Sequence, residues 1–180
     1  MTDPLDLITA LLPTDRPAIV AIDGRSGSGK TTVAESLVGR WEGSVLLRLD
    51  DVYPGWDGLR RGSDLVRRNA LEPLKAGRGG VWTQWDWAAD VAGPEHPIPA
   101  ASWLIVEGCG VLSRRARPLL DLAVWIELDA QTREARALAR DGDLYAPHWD
   151  RWAAQEEAFI AEEGPVGLAD LVIDGHAIGG

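Results

Sequence analysis

The sequence predicts an α/β fold: one domain over residues 1–180, with a five-stranded parallel sheet covered by helices on both faces. Two observations point there. Five short apolar runs, at 18–23, 44–50, 101–108, 122–128 and 169–174, are mostly separated by stretches of helical spacing. Strands buried on both faces read as continuous apolar runs, as these do. Between the first run and the first helical stretch stands Gly24-Arg25-Ser26-Gly27-Ser28-Gly29-Lys30-Thr31. That is a Gly-x4-Gly-Lys-Thr phosphate-binding loop in the strand–loop–helix context it requires.

The first strand, "AIVAID" (18–23), is a β-branched apolar run bounded by Pro17 and Gly24. In the loop that follows, Gly24, Gly27 and Gly29 can take positive φ and leave no Cβ in the way of an anion. Successive N–H groups from Gly24, Arg25, Ser26, Gly27, Ser28, Gly29 and Lys30 to Thr31 and Thr32 can then curl around a polyphosphate. The chain has two lysines against sixteen arginines, and one of the two is Lys30. Its compact charge suits the β- and γ-phosphates, and the Thr31 hydroxyl suits Mg²⁺. Val33, Leu37 and Val38 line one face of a helix expected over 30–41, with Gly43 as its stop.

The second strand, "SVLLRLD" (44–50), ends in Asp50-Asp51. Phosphoryl transfer needs an acceptor hydroxyl, and a carboxylate beside the γ-phosphate can take its proton. Asp50 at the strand tip is the candidate base; Asp51 is the next. Residues 51–100 then interrupt the alternation. A helix is expected over 64–77, while Pro94, Pro97 and Pro99 argue against a long regular element over 79–100. A long irregular insertion in a compact domain is usually functional, so this region is read as the acceptor-binding part. Asp51, Tyr53, Trp85 and Asp86 are its candidate contacts; the tryptophans could stack on a ring and Asp86 could hold a hydroxyl.

The third strand, "ASWLIVEG" (101–108), ends in Glu107, like a Walker B strand with Glu for Asp. Glu107 is a candidate Mg²⁺ ligand with Thr31 and Asp50, and a candidate contact for a substrate hydroxyl. After the fourth strand, Arg133, Arg136 and Arg140 fall on one helical face, followed by a polar stretch, 141–150, read as a mobile loop. Together, about 133–150, these form a candidate lid whose arginines meet the charge of the transferred group. Trp149, Trp152, Phe159 and Ile160 recur at helical spacing and are expected to pack on the sheet. The carboxyl ends of the strands carry Asp23, Asp50-Asp51, Glu107, Asp129 and Asp174, the edge where ligands of such sheets bind.

Composition narrows the partners. A net charge of −10 argues against nucleic acid and anionic lipid as generic partners. No apolar run reaches about eighteen residues, so no membrane helix is expected. "LDLITALLP" (5–13) is too short and too acidic at its start for a secretion signal. The lone cysteine, Cys109, excludes an internal disulfide and fits a reducing, cytoplasmic setting; it reads as a small buried side chain. The oligomeric state is left open.

The ordered set GRSGSGKTT, LDDVY, LIVEG, the R-x-x-R-x-x-x-R helix with HWDRW, and LVIDG resembles the uridine kinase and nicotinamide riboside kinase group of P-loop kinases. The resemblance implies a P-loop NTPase fold and transfer of the ATP γ-phosphate to a hydroxyl of a nucleoside, riboside or similar small metabolite. It implies Asp50 as catalytic acid–base residue, Glu107 as the acid after the Walker B-like strand, and Arg136 and Arg140 as lid arginines. It also implies that Gly175 and His176 approach the adenine.

Two other readings stand beside it. Arg60, Arg61, Arg67, Arg68 and Arg78 in the insertion would suit an acceptor that already carries a phosphate, as in nucleoside monophosphate kinases. A regulator that binds ATP without transferring phosphate is the other. A GTPase is disfavoured, because the only asparagine, Asn69, is followed by Ala70 and no Asn-Lys-x-Asp motif exists.

Overall fold

The computed structural model describes residues 3–178. In chain order, helix α1 (Pro4–Ala10) precedes β1 (Ile19–Asp23), α2 (Lys30–Val38) and β2 (Val45–Arg48). A helical stretch follows, α3 (Leu59–Val66) running through a π-turn at Arg67–Leu71 into α4 (Glu72–Lys75). Then come β3 (Gly80–Asp86), β4 (Val91–Ile98), β5 (Leu104–Glu107) and β6 (Leu122–Glu127). The chain ends with α5 (Ala130–Tyr145), α6 (Trp149–Glu163), α7 (Pro165–Leu168) and β7 (Leu171–Asp174).

The main sheet has the order β2-β5-β1-β6-β7, and every pairing in it is parallel. All five expected strands are there. The central strand, β1, is buried along its whole length, and its residues alternate between two cores. Ile19 and Ala21 join Leu47, Leu104, Val106, Leu59, Leu71, Trp152 and Phe159 on one face. Val20 and Ile22 join Ile105, Val124, Ile8, Val33 and Leu37 on the other. From β1 the chain crosses over β5 to reach β2, and later places β6 on the opposite side of β1. That reversal opens a crevice at the carboxyl end of β1.

Three expectations are corrected. The first helix stops at Val38 instead of 41: Gly39 caps it, and Trp41 leaves the helix to stack on Trp103, with ring centroids 4.8 Å apart. Residues 79–100 are largely a regular antiparallel hairpin, β3–β4, despite Pro94 and Pro97. Glu95 faces Thr83 and Ala92 faces Trp85, so β4 carries one extra residue there. The ribbon has only two strands, so each is an edge strand, where proline is tolerated. Finally, 141–150 is not a loop. It is helical, with a break at Gly142 (φ 50°, ψ −130°) and a 3-10 turn at Ala146–His148 leading into α6. Buried Tyr145 fixes this segment, its ring stacked at 5.7 Å from that of Trp56. Trp152 and Phe159 pack in the core as expected.

Candidate active site

The phosphate loop joins β1 to α2 at the crevice. Gly24, Gly27 and Gly29 adopt φ of 149°, 81° and 101°. A side chain at Gly24 would put its Cβ 2.6 Å from the Ile126 carbonyl oxygen, and one at Gly27 would lie 2.1 Å from that of Arg133. Glycine is required at both for space as well as for φ. Gly29 opens α2 in the left-handed conformation. A groove of about 380 Å³ lies on the outer side of the loop. Gly27, Gly29, Lys30, Thr31 and Thr32 form one wall; Arg136 and Arg140 of α5 and Ile178 face them.

Lys30 is buried, and its Nζ donates to the Arg25 carbonyl at 3.0 Å. Burial disfavours its charge, but Cys109, Glu107, Glu156 and Asp50 outweigh that and hold its pKa above the ordinary lysine value. The Thr31 hydroxyl donates to Glu107 Oε1 at 3.0 Å. Burial raises the pKa of Glu107 against the pull of nearby Lys30, and Asp50 raises it further. Lys30, Thr31, Glu107 and Asp50 thus share one electrostatic neighbourhood.

Asp50 and Asp51 lie in a 3-10 turn after β2 (Leu49–Asp51), with Asp50 exposed and Asp51 half-buried. Burial raises the pKa of Asp51, and Arg48 works against it. Among the described residues no three His, Cys, Asp or Glu side chains form a metal cage. The hard oxygens of Thr31, Glu107 and Asp50 nonetheless fit Mg²⁺, which keeps several waters and takes few protein ligands beside substrate phosphates.

Other expected site residues have different positions. Tyr53 is a core residue: its hydroxyl donates to the Cys109 carbonyl at 2.7 Å and its ring packs edge-on to Trp152, so it cannot line an open acceptor site. Arg25 turns away from the groove to Glu156 (2.9 Å), the Ala153 carbonyl and Glu157. Asp86 accepts from the N–H groups of Ala88 and Ala89, both at 3.0 Å, and so caps the hairpin turn. Trp85 is half-buried in β3, its Nε1 without a protein partner. Gly175 packs against the Ser28 carbonyl, and its own carbonyl accepts from Arg136 at 3.3 Å; His176 lies 3.2 Å from Asp129. Asp129 caps the start of α5, and Asp174 caps the 3-10 turn after β7.

The arginines divide in the same way. Arg133 is buried, bonded to the carbonyls of Leu128 and Ser26, and braces the loop while Arg136 and Arg140 face the groove. Arg60 is paired with Glu162 and Glu163 and lies over the Phe159 ring; Arg67 is paired with Asp64 and Glu72. Two of the five arginines proposed for an acceptor phosphate are therefore already occupied.

Sequence reasoning placed Asp23 at the ligand edge without a role, and missed two further contributors, Glu156 and Trp56. Asp23 accepts from Gly24 N, Gly110 N and Leu112 N, tying the phosphate loop to the loop after β5; burial pushes its pKa up to about 6 against those three donors. Glu156 of α6 is buried among Arg25, Ser26 and Cys109, and although burial opposes its charge, these partners hold its pKa below the usual value. Trp56 is the hub of an aromatic cluster: His148 stacks on it at 4.1 Å and Trp87 lies tilted at 5.0 Å. Trp87 Nε1 in turn donates to the Asp50 carbonyl at 2.8 Å. The helical spacing of Trp149, Trp152, Glu156 and Phe159 was the one available signal for Glu156, since it puts an acid on an apolar face. Cys109 is buried as expected, and burial pushes its thiol well above the ordinary range.

Comparison with known proteins bears on the family and the fold. The chain is 31% identical over 144 residues to a uridine kinase of Staphylococcus aureus, covering 68% of each chain. It is 30% identical over 157 residues to a uridine kinase of Leuconostoc citreum, covering 71% of this chain and 70% of the other. The first curated relatives are covered over 66–70% of their length. A structure described as a possible uridine kinase from Bacillus stearothermophilus superposes with a TM-score of 0.65 at 22% identity, over 94% of this chain and 95% of that one, and shares the fold. No family model matches. Among the described residues no helix is long and apolar enough to cross a membrane.

Proposed function

The chain belongs to the uridine kinase family, and from that premise we propose that it transfers the γ-phosphate of ATP to a hydroxyl of a nucleoside, riboside or similar small metabolite. The observation that carries this reading is the convergence of Lys30, Thr31, Glu107 and Asp50 at one end of the sheet. The N–H groups of Gly24, Ser26 and Ser28 are taken by Asp23, Glu156 and the Arg25 carbonyl, so those of Gly27, Gly29 and Lys30 are the ones that would embrace the phosphates. Lys30, kept charged by its acidic neighbours, neutralises the β- and γ-phosphates, and Arg136 and Arg140 reach them from the far wall of the groove. Thr31, Glu107 and Asp50 would hold Mg²⁺, which supplies charge neutralisation on the transferring group. Asp50 takes the proton of the acceptor hydroxyl as that oxygen attacks in line.

The acceptor then enters between Asp50 and the rings of Trp56, Trp87 and His148. An acceptor packed on these rings would exclude water, the competing acceptor. An acceptor without phosphate is the leading reading; Arg60 and Arg67, two of the five insertion arginines, are held by carboxylates.

The test is ADP release from MgATP across a panel of nucleosides, ribosides, vitamins, sugars and their monophosphates, with Lys30→Ala as the blank. A Lys30-dependent signal with an unphosphorylated class is expected. Preference for a monophosphate would move the assignment to the phosphorylated-acceptor reading. Tight ATP binding with silence across the panel would favour a nucleotide-binding regulator.

A further inference from the structure

Ser26 sits in the phosphate loop, yet none of its polar groups lines the groove. Its N–H donates to Glu156 Oε1 at 2.7 Å, its hydroxyl accepts from the Tyr145 hydroxyl at 2.9 Å, and its carbonyl accepts from Arg133 Nη1 at 3.3 Å. All three partners belong to the α5–α6 hairpin; the hydroxyl's other contact is Cys109 Sγ, at 3.8 Å. The three also lie on both sides of the break at Gly142: Arg133 before it, Tyr145 and Glu156 after it. We propose that Ser26 is the fastening point between the α5–α6 hairpin and the phosphate loop, and that Tyr145 and Glu156 act through it as positioning residues that hold the loop in its phosphate-binding shape.

Three features support this. First, the bend at 25–27 has little internal support: across it the loop has one backbone bond of its own, Ser28 N–H to the Arg25 carbonyl at 3.1 Å. The rest of the grip on Ser26 comes from outside. Second, the contact has no slack. The Arg133 carbonyl leaves no room for a Cβ on Gly27, so α5 cannot shift toward the loop without a clash. Third, each partner is in the protonation state its bond needs. Glu156 is held ionised by Arg25, the Ser26 N–H and Cys109 despite its burial, and burial keeps the Tyr145 phenol neutral and able to donate. Arg136 and Arg140, which face the groove, ride on the same helix as Arg133. The loop and the groove-facing arginines are therefore set at a common spacing, and Ser26 is where that spacing is fixed.

The inference rests on the nucleotide-binding reading of the groove, and its test needs no acceptor. MgATP affinity is measured by titration calorimetry on the full chain for wild type, Ser26→Ala, Tyr145→Phe and the double variant, with Tm recorded for each. Tyr145→Phe keeps the ring in the Trp56 stack and removes only the hydroxyl. Each single variant is expected to weaken MgATP about 3- to 10-fold, the worth of one ordered hydrogen bond. The double variant is expected to match the weaker single, since both remove the same link. Glu156→Gln should weaken MgATP at least as much. Variants that lose Tm but keep wild-type affinity would overturn the proposal and leave these bonds as packing alone; so would additive losses from Ser26 and Tyr145. A wild type that binds no MgATP would overturn the nucleotide reading, and this inference with it.

Discussion

The two sides of the candidate site are built by different means. The phosphate side is made from contiguous chain: residues 23–31 supply the strand end, three positive-φ glycines, the lysine and the helix start. The proposed acceptor side is made from three separated segments, which bring Trp56, Trp87 and His148 together. A nest of backbone N–H groups serves any polyphosphate and tolerates little change. A cluster of stacked rings has many arrangements of similar energy, so it is where one family member can differ from another. On this reading, substitutions on the phosphate side should abolish chemistry with every acceptor. Substitutions on the aromatic side should change which acceptor is used and how well it binds.

The largest effect should come from Lys30→Ala. It removes the charge that Glu107, Glu156 and Asp50 surround and should eliminate measurable transfer while weakening ATP in a binding assay. Asp50→Asn comes next. It keeps the shape of the turn and its carbonyl bond to Trp87 but removes the proton acceptor. A kcat loss of about 10²–10⁴-fold with ATP affinity nearly unchanged is expected. Wild-type turnover by Asp50→Asn would remove it from the mechanism and would place the base on Asp51 or Glu107.

The places of these two residues in the fold were also legible without a structure, and the reason is physical. Lys30 and Asp50 each stand at a strand end or in a loop whose local pattern carries the signal: glycine spacing for one, an apolar run closing on an acid for the other. The five strands were legible for the same reason, since burial on both faces writes itself as an unbroken apolar run. What escaped depends on residues far apart in the chain. Glu156 lies 130 positions from the Ser26 N–H it binds, and Trp56 and His148 meet only once α6 has folded back over α3. Tyr53 sat in the right motif, yet its ring faces inward to the Cys109 carbonyl, and direction is not written in a motif. The two prolines in β4 misled because proline is excluded from central strands, and both strands of a two-stranded ribbon are edges.

Gly27→Ala sharpens the comparison at the junction of the two sides. The new Cβ would meet the Arg133 carbonyl at 2.1 Å and force a non-glycine residue to φ 81°. Either α5 moves off the loop or the loop changes shape. In both cases MgATP should weaken by at least about tenfold, and Arg136 and Arg140 should no longer face Lys30 across the groove. Unchanged affinity would mean that the spacing between α5 and the loop is looser than these contacts imply.

The smallest effect, and the most discriminating, should come from Trp87→Phe. The substitution keeps a ring against Trp56 and removes one donor, the Nε1–H that reaches the Asp50 carbonyl at 2.8 Å. One hydrogen bond at a partly exposed site is worth about 0.5–1.5 kcal/mol, which is a roughly two- to tenfold change. If the two sides are separable, all of it should appear as a higher acceptor KM, because the hairpin tip would hold the turn at Asp50 less firmly, while the dissociation constant for MgATP stays at the wild-type value. If ATP weakens in step with the acceptor, then the turn at Asp50 is coupled to the phosphate loop through Glu107 and Lys30. The division drawn between a generic phosphate side and an adaptable acceptor side would then give way to a single site in which the aromatic cluster also sets nucleotide affinity.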